Sequence, residues 1–123
     1  MDLPTQSHLT TLRHALQFRR AELRADVHAA DLARRGSIDS TEVADHKDAA
    51  VREQAAEVCE AEERRDVEEL QRVEAALHRL DIGRFGDCAE CGEPIGMQRL
   101  FVQPAVERCV ACQTAFEHRR HAS

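Results

Sequence analysis

Four cysteines near the carboxyl end of this 123-residue chain form two Cys-x-x-Cys pairs, Cys88 with Cys91 and Cys109 with Cys112. Each pair can supply two sulfur ligands from one tight turn, and the 17 residues between the pairs allow the second pair to close on a metal from the other side. Gly92 follows the first pair, at a position that often needs a positive φ. The spacing therefore predicts one structural zinc ion held by four thiolates.

Two disulfides, or one redox-active Cys-x-x-Cys, are the alternatives to a zinc site. A redox-active Cys-x-x-Cys does not require a second Cys-x-x-Cys pair, and no βαβ pattern surrounds either pair. Four protein ligands leave no open position on zinc for a substrate. The chain also contains no Ser-His-Asp order, no phosphate-binding loop and no helical metal-binding motif, so we predict that the protein is not an enzyme.

The composition favours long, solvated helices over a large compact core. Aromatic residues make up 3% of the chain and charged residues 33%. The net charge is −6, with acids and bases interleaved, which argues against direct, sequence-specific binding to nucleic acid. No leader-like segment and no apolar run near the ~20 residues of a membrane span is visible. With reduced, zinc-binding cysteines, this predicts a cytoplasmic protein that does not contact a membrane.

A first helix is predicted over about residues 7–35. Gly36 can end it in the left-handed conformation, and the two arginines before it suit the carboxyl end of a helix dipole. The apolar residues of this segment recur at spacings of three, four or seven, as one helix face requires: Leu9, Leu12, Leu16, Leu23, Val27 and Ala30.

A second, longer helix is predicted over about residues 40–80. Between Gly36 and Gly83 the chain contains neither glycine nor proline, and Asp39 with Glu42 has the form of a capping box. A polar turn at residues 62–66 interrupts the apolar positions, which are Val51, Ala55, Val58, Val67, Leu70, Val73, Leu77 and Leu80.

One amphipathic rod cannot bury its own apolar stripe, so we predict that the two helices pair as an antiparallel coiled-coil hairpin over residues 7–82, with its tip near 36–50. The fold would then be dominated by α-helix, and the chain would be a monomer. The alternative is a coiled coil between two chains.

The remaining residues, 83–123, are predicted to form a small four-cysteine zinc-finger module that ends in a helix over about 105–120. The fifth cysteine, Cys59, is expected to be small and partly buried on the long helix. The expected core beside the metal consists of Leu100, Phe101, Val102, Val106 and Phe116.

Segment 80–113 resembles the zinc-finger signature of the DksA/TraR family. The matching features are the cysteine spacing, the lead-in Gly83-Arg-Phe-Gly-Asp-Cys88, the Ile95-Gly-Met-Gln-Arg-Leu100 segment read as a strand, and the approach from Pro104 to Cys109. The resemblance implies a regulator of transcription initiation in the bacterial stringent response. In this family the coiled-coil hairpin enters the secondary channel of RNA polymerase, and its acidic tip lies near the active centre.

The resemblance extends to the tip motif Asp-x-x-Asp-x-Ala, which occurs here as Asp45-His-Lys-Asp48-Ala-Ala50. It implies that Asp45, Asp48 and Ala50 contact the polymerase. Acids in the first turns of any helix are also favoured by the helix dipole, by about 0.3–1 kcal/mol each, and that is the alternative explanation of these carboxylates.

Family members respond to the alarmone ppGpp through basic side chains where the zinc module joins the long helix. Arg72 matches one of these positions, but Gln103 and Gln113 are uncharged at two others. Because phosphate recognition depends on charge-assisted hydrogen bonds, we expect weak or absent dependence on ppGpp.

Two other functions fit the same residues. In one, the protein is a non-enzymatic adaptor whose hairpin binds another protein and whose zinc module is a clamp. In the other, the four-cysteine site is a zinc–thiol redox sensor.

Overall fold

The computed structural model describes residues 5–39 and 46–122, with side chains described over 5–36 and 49–120. It contains four helices: α1 (Gln6–Asp39), α2 (His46–Asp81), α3 (Met97–Val102) and α4 (Val110–Ala122). An isolated antiparallel bridge joins Asp87 to Pro94, and no strand occurs among the described residues. The prediction of a fold dominated by α-helix is therefore confirmed.

The chain divides into two compact units. Unit 1 combines residues 1–20 with 72–123, and unit 2 covers residues 21–71. Unit 1 thus holds the start of α1, the end of α2 and the whole cysteine-rich segment. The predicted division into a hairpin over 7–82 and a zinc module over 83–123 stays a prediction.

In unit 1, the first turns of α1 and the last turns of α2 bury apolar side chains. Burying a leucine or valine side chain contributes roughly 1.5–3 kcal/mol, so these residues are the main source of stability for the helix pair. An ion pair of 2.8 Å between Arg13 and Asp81 lies beside them. The buried residues are Leu12, Leu16, Val73, Ala76 and Leu77.

In unit 2, a charged contact joins the same two helices. Arg34 of α1 pairs with Glu63 of α2, and Leu23 is fully buried. Residue 13 pairs with residue 81 and residue 34 pairs with residue 63, so the partner number on α2 falls as the number on α1 rises. The helices are therefore antiparallel, and the predicted coiled-coil hairpin is confirmed.

The predicted end of the first helix at Gly36 is wrong. Helix α1 continues to Asp39, and Gly36 does not have a positive φ. A glycine inside a helix costs only about 1 kcal/mol relative to alanine, and no proline follows to stop the helix. The predicted start of the second helix at residue 40 lies outside the described residues, and its end at Asp81 agrees with the prediction within one residue.

The distal apolar positions predicted on the second helix are not buried. Val51 is 65% exposed and Val58 57% exposed. Both lie at whole-heptad spacing from Arg72, which is also exposed, so they share its face of the helix. Cys59 is exposed as well, so the expectation that it would be partly buried is wrong.

The cysteine-rich segment departs from the prediction in its helices. The segment read as a strand contains α3, with Met97 and Leu100 buried three residues apart on one face. That periodicity leaves Phe101 and Val102 exposed, so they do not belong to the expected core. Helix α4 begins at Val110 instead of residue 105, because a turn after Gln103 comes first. No helix among the described residues is both long enough and apolar enough to cross a membrane.

Candidate metal centre

The first cysteine pair lies in a tight turn held by backbone hydrogen bonds. The Gly92 amide donates to the Cys88 carbonyl at 2.9 Å, and the Cys88 amide donates to the Glu93 carbonyl at 2.8 Å. Gly92 has a φ of 76°, a conformation that a side chain disfavours. The positive φ predicted from the sequence is therefore confirmed, and it folds the chain back so that both sulfurs lie on one side.

The second pair lies where a loop enters α4. Cys109 precedes the helix and Cys112 lies in its first turn. The Gln113 amide donates to the Cys109 carbonyl at 2.8 Å, and the Cys112 amide lies 3.5 Å from the Cys109 sulfur. Because the first N–H groups of a helix lack partners within the helix, they can stabilise a thiolate at this position.

The four sulfurs form one cluster. The sulfur atoms of Cys88, Cys91, Cys109 and Cys112 all lie within 4.8 Å of one another. Zn–S bonds of about 2.3 Å at the corners of a tetrahedron would place sulfurs ~3.8 Å apart. The sulfurs of Cys91 and Cys109 are separated by 3.8 Å, which fits this geometry. All five cysteines lie in the described part of the chain and are free thiols, so the alternative of two disulfides does not hold here.

The electrostatics of the cluster require a cation. Burial tends to raise the pKa of Cys88, but backbone hydrogen bonds to its sulfur, first from Cys91, outweigh burial and lower the pKa to about 6. Neighbouring sulfurs, Cys109 first, raise the pKa of Cys112 to about 12. Four thiolates cannot all carry their charge this close together without a cation, and zinc provides that charge. The donor set and its geometry fit one structural zinc ion.

A small apolar cluster lies in the same segment. Phe85, Met97 and Leu100 are all buried, whereas only Leu100 of these three was expected from the sequence. Phe85 belongs to the lead-in before Cys88, and its type could have indicated burial. On the other side, Cys112 borders an open cavity of about 400 Å³ that is lined by Glu90, Ala115, His118 and Arg119.

Two hydrogen bonds from arginine side chains to backbone carbonyls were not predicted from the sequence. Arg79 at the end of α2 donates to the Val106 carbonyl at 3.4 Å, and Arg99 of α3 donates to the Arg108 carbonyl at 3.2 Å. Burial lowers the pKa of Arg79, and Glu107 opposes that shift. A pattern of residue types does not reveal which carbonyl an arginine will reach.

The predicted polymerase-contact and ppGpp-site positions lie on other elements. Asp45 is outside the described residues, and Asp48 lies on α2 with a side chain outside them. Ala50 and Arg72 are exposed on α2. Among the uncharged replacements, Gln103 ends α3, and Gln113 on α4 donates to Glu117 at 3.0 Å.

Residues 83–118 match the family of the prokaryotic dksA/traR C4-type zinc finger. Over 50 residues the chain is 42% identical to the RNA polymerase-binding transcription factor DksA of Haemophilus influenzae and 34% identical to that of Escherichia coli. These alignments cover 41% of this chain and 34% and 33% of the two relatives, so the chain matches about a third of their length.

A solved structure is similar over most of the chain. Transcription factor DksA2 from Pseudomonas aeruginosa superposes with a TM-score of 0.75 and 29% sequence identity. The superposition covers 94% of this chain and 88% of the other. With the zinc-finger match and the four-sulfur cluster, this likeness shows that residues 83–118 form a zinc finger of the DksA/TraR type and that the chain has a fold similar to that of DksA2.

Proposed function

We propose that this protein binds bacterial RNA polymerase and regulates transcription initiation as a non-enzymatic, DksA-like factor. The observation that carries the proposal is the likeness to DksA2 over 94% of the chain, helices and zinc-finger segment together. The curated relatives are named RNA polymerase-binding transcription factors, although the alignment covers only about a third of their length. On this proposal the protein is a cytoplasmic monomer that does not bind nucleic acid sequence-specifically and does not contact a membrane.

In this function the helix pair would place carboxylates inside the secondary channel of the polymerase. Helix α1 is described as far as Asp39 and α2 from His46 onward, and residues 40–45 lie outside the described part of the chain. Asp45 directly precedes α2 in the sequence, and Asp48 and Ala50 lie near the start of α2. On a helix, Asp45 and Asp48 would share a face, from which two carboxylates could make charge-assisted contacts near the catalytic metal of the polymerase.

The first test replaces Asp48 by asparagine, which keeps the shape of the side chain and removes its charge. Asp48→Asn should retain the helix content and the polymerase affinity but lose the effect on transcription, because only the tip contact is changed. The measurement is in vitro transcription from a ribosomal RNA promoter and an amino-acid biosynthetic promoter. Glu53→Gln, an exposed position on the same helix, is the matched control and should act like the parent protein.

Full activity of the Asp48→Asn variant at both promoters would remove the tip assignment. Failure of the parent protein to co-purify with core polymerase would reject the whole proposal in favour of an adaptor for another protein.

The in vitro transcription assay with added ppGpp tests the effect of the uncharged residues Gln103 and Gln113. Since only Arg72 supplies a cation among the three positions, ppGpp should change the response little.

A further inference from the structure

Arg108 lies directly before the zinc ligand Cys109, and its side chain contacts three other parts of the cysteine-rich segment. Its Nε donates to Glu90 Oε1 at 3.3 Å, and its Nη1 donates to Glu107 Oε1 at 3.1 Å. The guanidinium carbon lies 4.0 Å from the centre of the Phe116 ring on α4. The side chain is only 18% exposed, although it carries a permanent charge.

The Arg108–Glu90 ion pair connects the two cysteine turns. Glu90 lies inside the first cysteine turn, between Cys88 and Cys91, whereas Arg108 adjoins the second turn. The Arg108–Glu90 ion pair is therefore a direct contact between the two cysteine turns that does not depend on bound zinc. A backbone hydrogen bond of 2.8 Å from the Ala89 amide to the Glu107 carbonyl runs alongside it.

The planar shape of arginine suits this position. A guanidinium can stack on an aromatic ring and still donate in its own plane to carboxylates, which the ammonium group of lysine cannot do. The Arg108 guanidinium lies over the Phe116 ring while its Nε donates to Glu90, and the Arg99 hydrogen bond to the Arg108 carbonyl holds the backbone at the same residue. Side chain and main chain are both held next to a ligand.

We propose that Arg108 is a positioning residue for zinc: paired with Glu90 and stacked on Phe116, it holds the two cysteine turns together and so raises the affinity for the metal. Gathering four sulfurs from two separate turns costs conformational entropy before zinc binds, and a contact that holds the turns together reduces that cost. Groups that orient metal ligands typically change metal affinity by about 10–100-fold when they are removed.

The test measures the zinc dissociation constant of the full chain by competition with a chromogenic chelator. Arg108→Ala should weaken zinc binding by about tenfold or more. Arg108→Lys keeps the charge but loses the stacked plane, so it should recover only part of that loss. Arg84→Ala removes an exposed arginine from the same segment and should leave the constant unchanged.

Glu90→Gln separates positioning from simple charge. Glu90 is 44% exposed, so its replacement does not threaten the fold. If only the local field mattered, removing a negative charge beside four thiolates would strengthen the site. Loss of the ion pair should instead weaken zinc binding by about two- to fivefold, the range of an exposed ion pair. In the Arg108→Ala background the same change should not weaken zinc binding any further, because the ion pair is already lost.

Cobalt provides a readout that a general loss of stability would not reproduce. At saturating Co²⁺, Arg108→Ala should show the visible spectrum of the parent protein, because all four sulfurs are still present, but it should need more metal to reach it. The proposal is overturned if Arg108→Ala binds zinc within twofold of the parent, if Arg84→Ala weakens binding equally, or if Glu90→Gln strengthens binding. Additive effects in the double variant, or an altered cobalt spectrum, would also overturn it.

Discussion

Cys88 is the most enclosed of the four zinc ligands. It is 3% exposed, whereas Cys91 is exposed and Cys109 and Cys112 are intermediate. Backbone hydrogen bonds lower the pKa of Cys88 below that of an ordinary thiol, while the neighbouring sulfurs raise the pKa of Cys112. Although a backbone hydrogen bond from Glu93 lowers it, the pKa of Cys91 is raised on balance by the neighbouring Cys88 sulfur. Both cysteine turns therefore contain a thiol that must lose its proton when zinc binds.

Gly36 is a residue whose role differs from its sequence pattern. It lies inside α1 without a positive φ, and a Cβ built on it would meet no atom within 4 Å. Gly36→Ala should therefore stabilise the protein by about 0.5–1 kcal/mol, because alanine loses less backbone entropy in a helix. Urea unfolding followed by far-UV circular dichroism measures this. A loss of stability would instead indicate a left-handed cap at this position.

At the scale of elements, α2 changes character along its length. Val73, Ala76 and Leu77 near its end are buried in unit 1, whereas every residue from 51 to 60 is exposed. Asp66 lies one heptad before Val73, and Glu63 lies two heptads before Leu77. The face of α2 that is buried near its end therefore carries acidic residues in the middle of the helix. Hydrophobic contact holds the helix pair in unit 1, and ion pairing contributes in unit 2.

Two valines on α2 test this difference with the same substitution. Val73 is 1% exposed and Val58 is 57% exposed. Val73→Ala should cost about 2 kcal/mol, from lost burial and the cavity it leaves, whereas Val58→Ala should change stability by less than about 0.5 kcal/mol. The midpoint of urea unfolding reports both values. Equal losses would mean that Val58 is covered in solution, for example by a second chain.

The elements could be predicted from the sequence where local rules decide the structure. Cysteine spacing and Gly92 gave the metal centre, and apolar periodicity with the absence of proline gave both long helices. The prediction failed where tertiary contacts decide: Val51 and Val58 follow a helical period but lie on the face of Arg72. The Arg108–Glu90–Phe116 cluster could not be predicted, because it depends on how the two cysteine turns and α4 pack together.

For the whole molecule, the zinc site belongs to unit 1 together with the buried ends of α1 and α2. Arg79 makes a direct link within that unit, since it lies on α2 and donates to the Val106 carbonyl three residues before Cys109. The apolar residues that join α1 to α2 nevertheless do not include any zinc ligand. We therefore expect the helix pair to keep part of its stability when zinc is removed.

Removal of zinc by a strong chelator should act on the cysteine-rich segment first. Amide hydrogen exchange should become faster within residues 83–118, because their short turns and the six-residue α3 depend on the metal to hold them. Protection around Leu16 and Val73 should persist, because their burial does not require zinc. Hydrogen-exchange mass spectrometry measures both regions, and added zinc should restore the first. Unchanged exchange in 83–118, or unfolding of the whole chain, would contradict this expectation.

Two ion pairs between α1 and α2 differ in how far they are open to dissolved salt. Arg34 and Glu63 attract each other through a field that dissolved ions screen over about 8 Å at physiological ionic strength and over shorter distances as salt rises. Burial of Leu16 and Val73 is not weakened in this way. Because Arg34 and Glu63 are in contact, well inside that screening length, and Glu63 is only 16% exposed, the accumulation of potassium salts under osmotic stress should weaken this pairing only slightly. The exposed Arg13–Asp81 pair of unit 1 should lose more of its attraction under the same conditions.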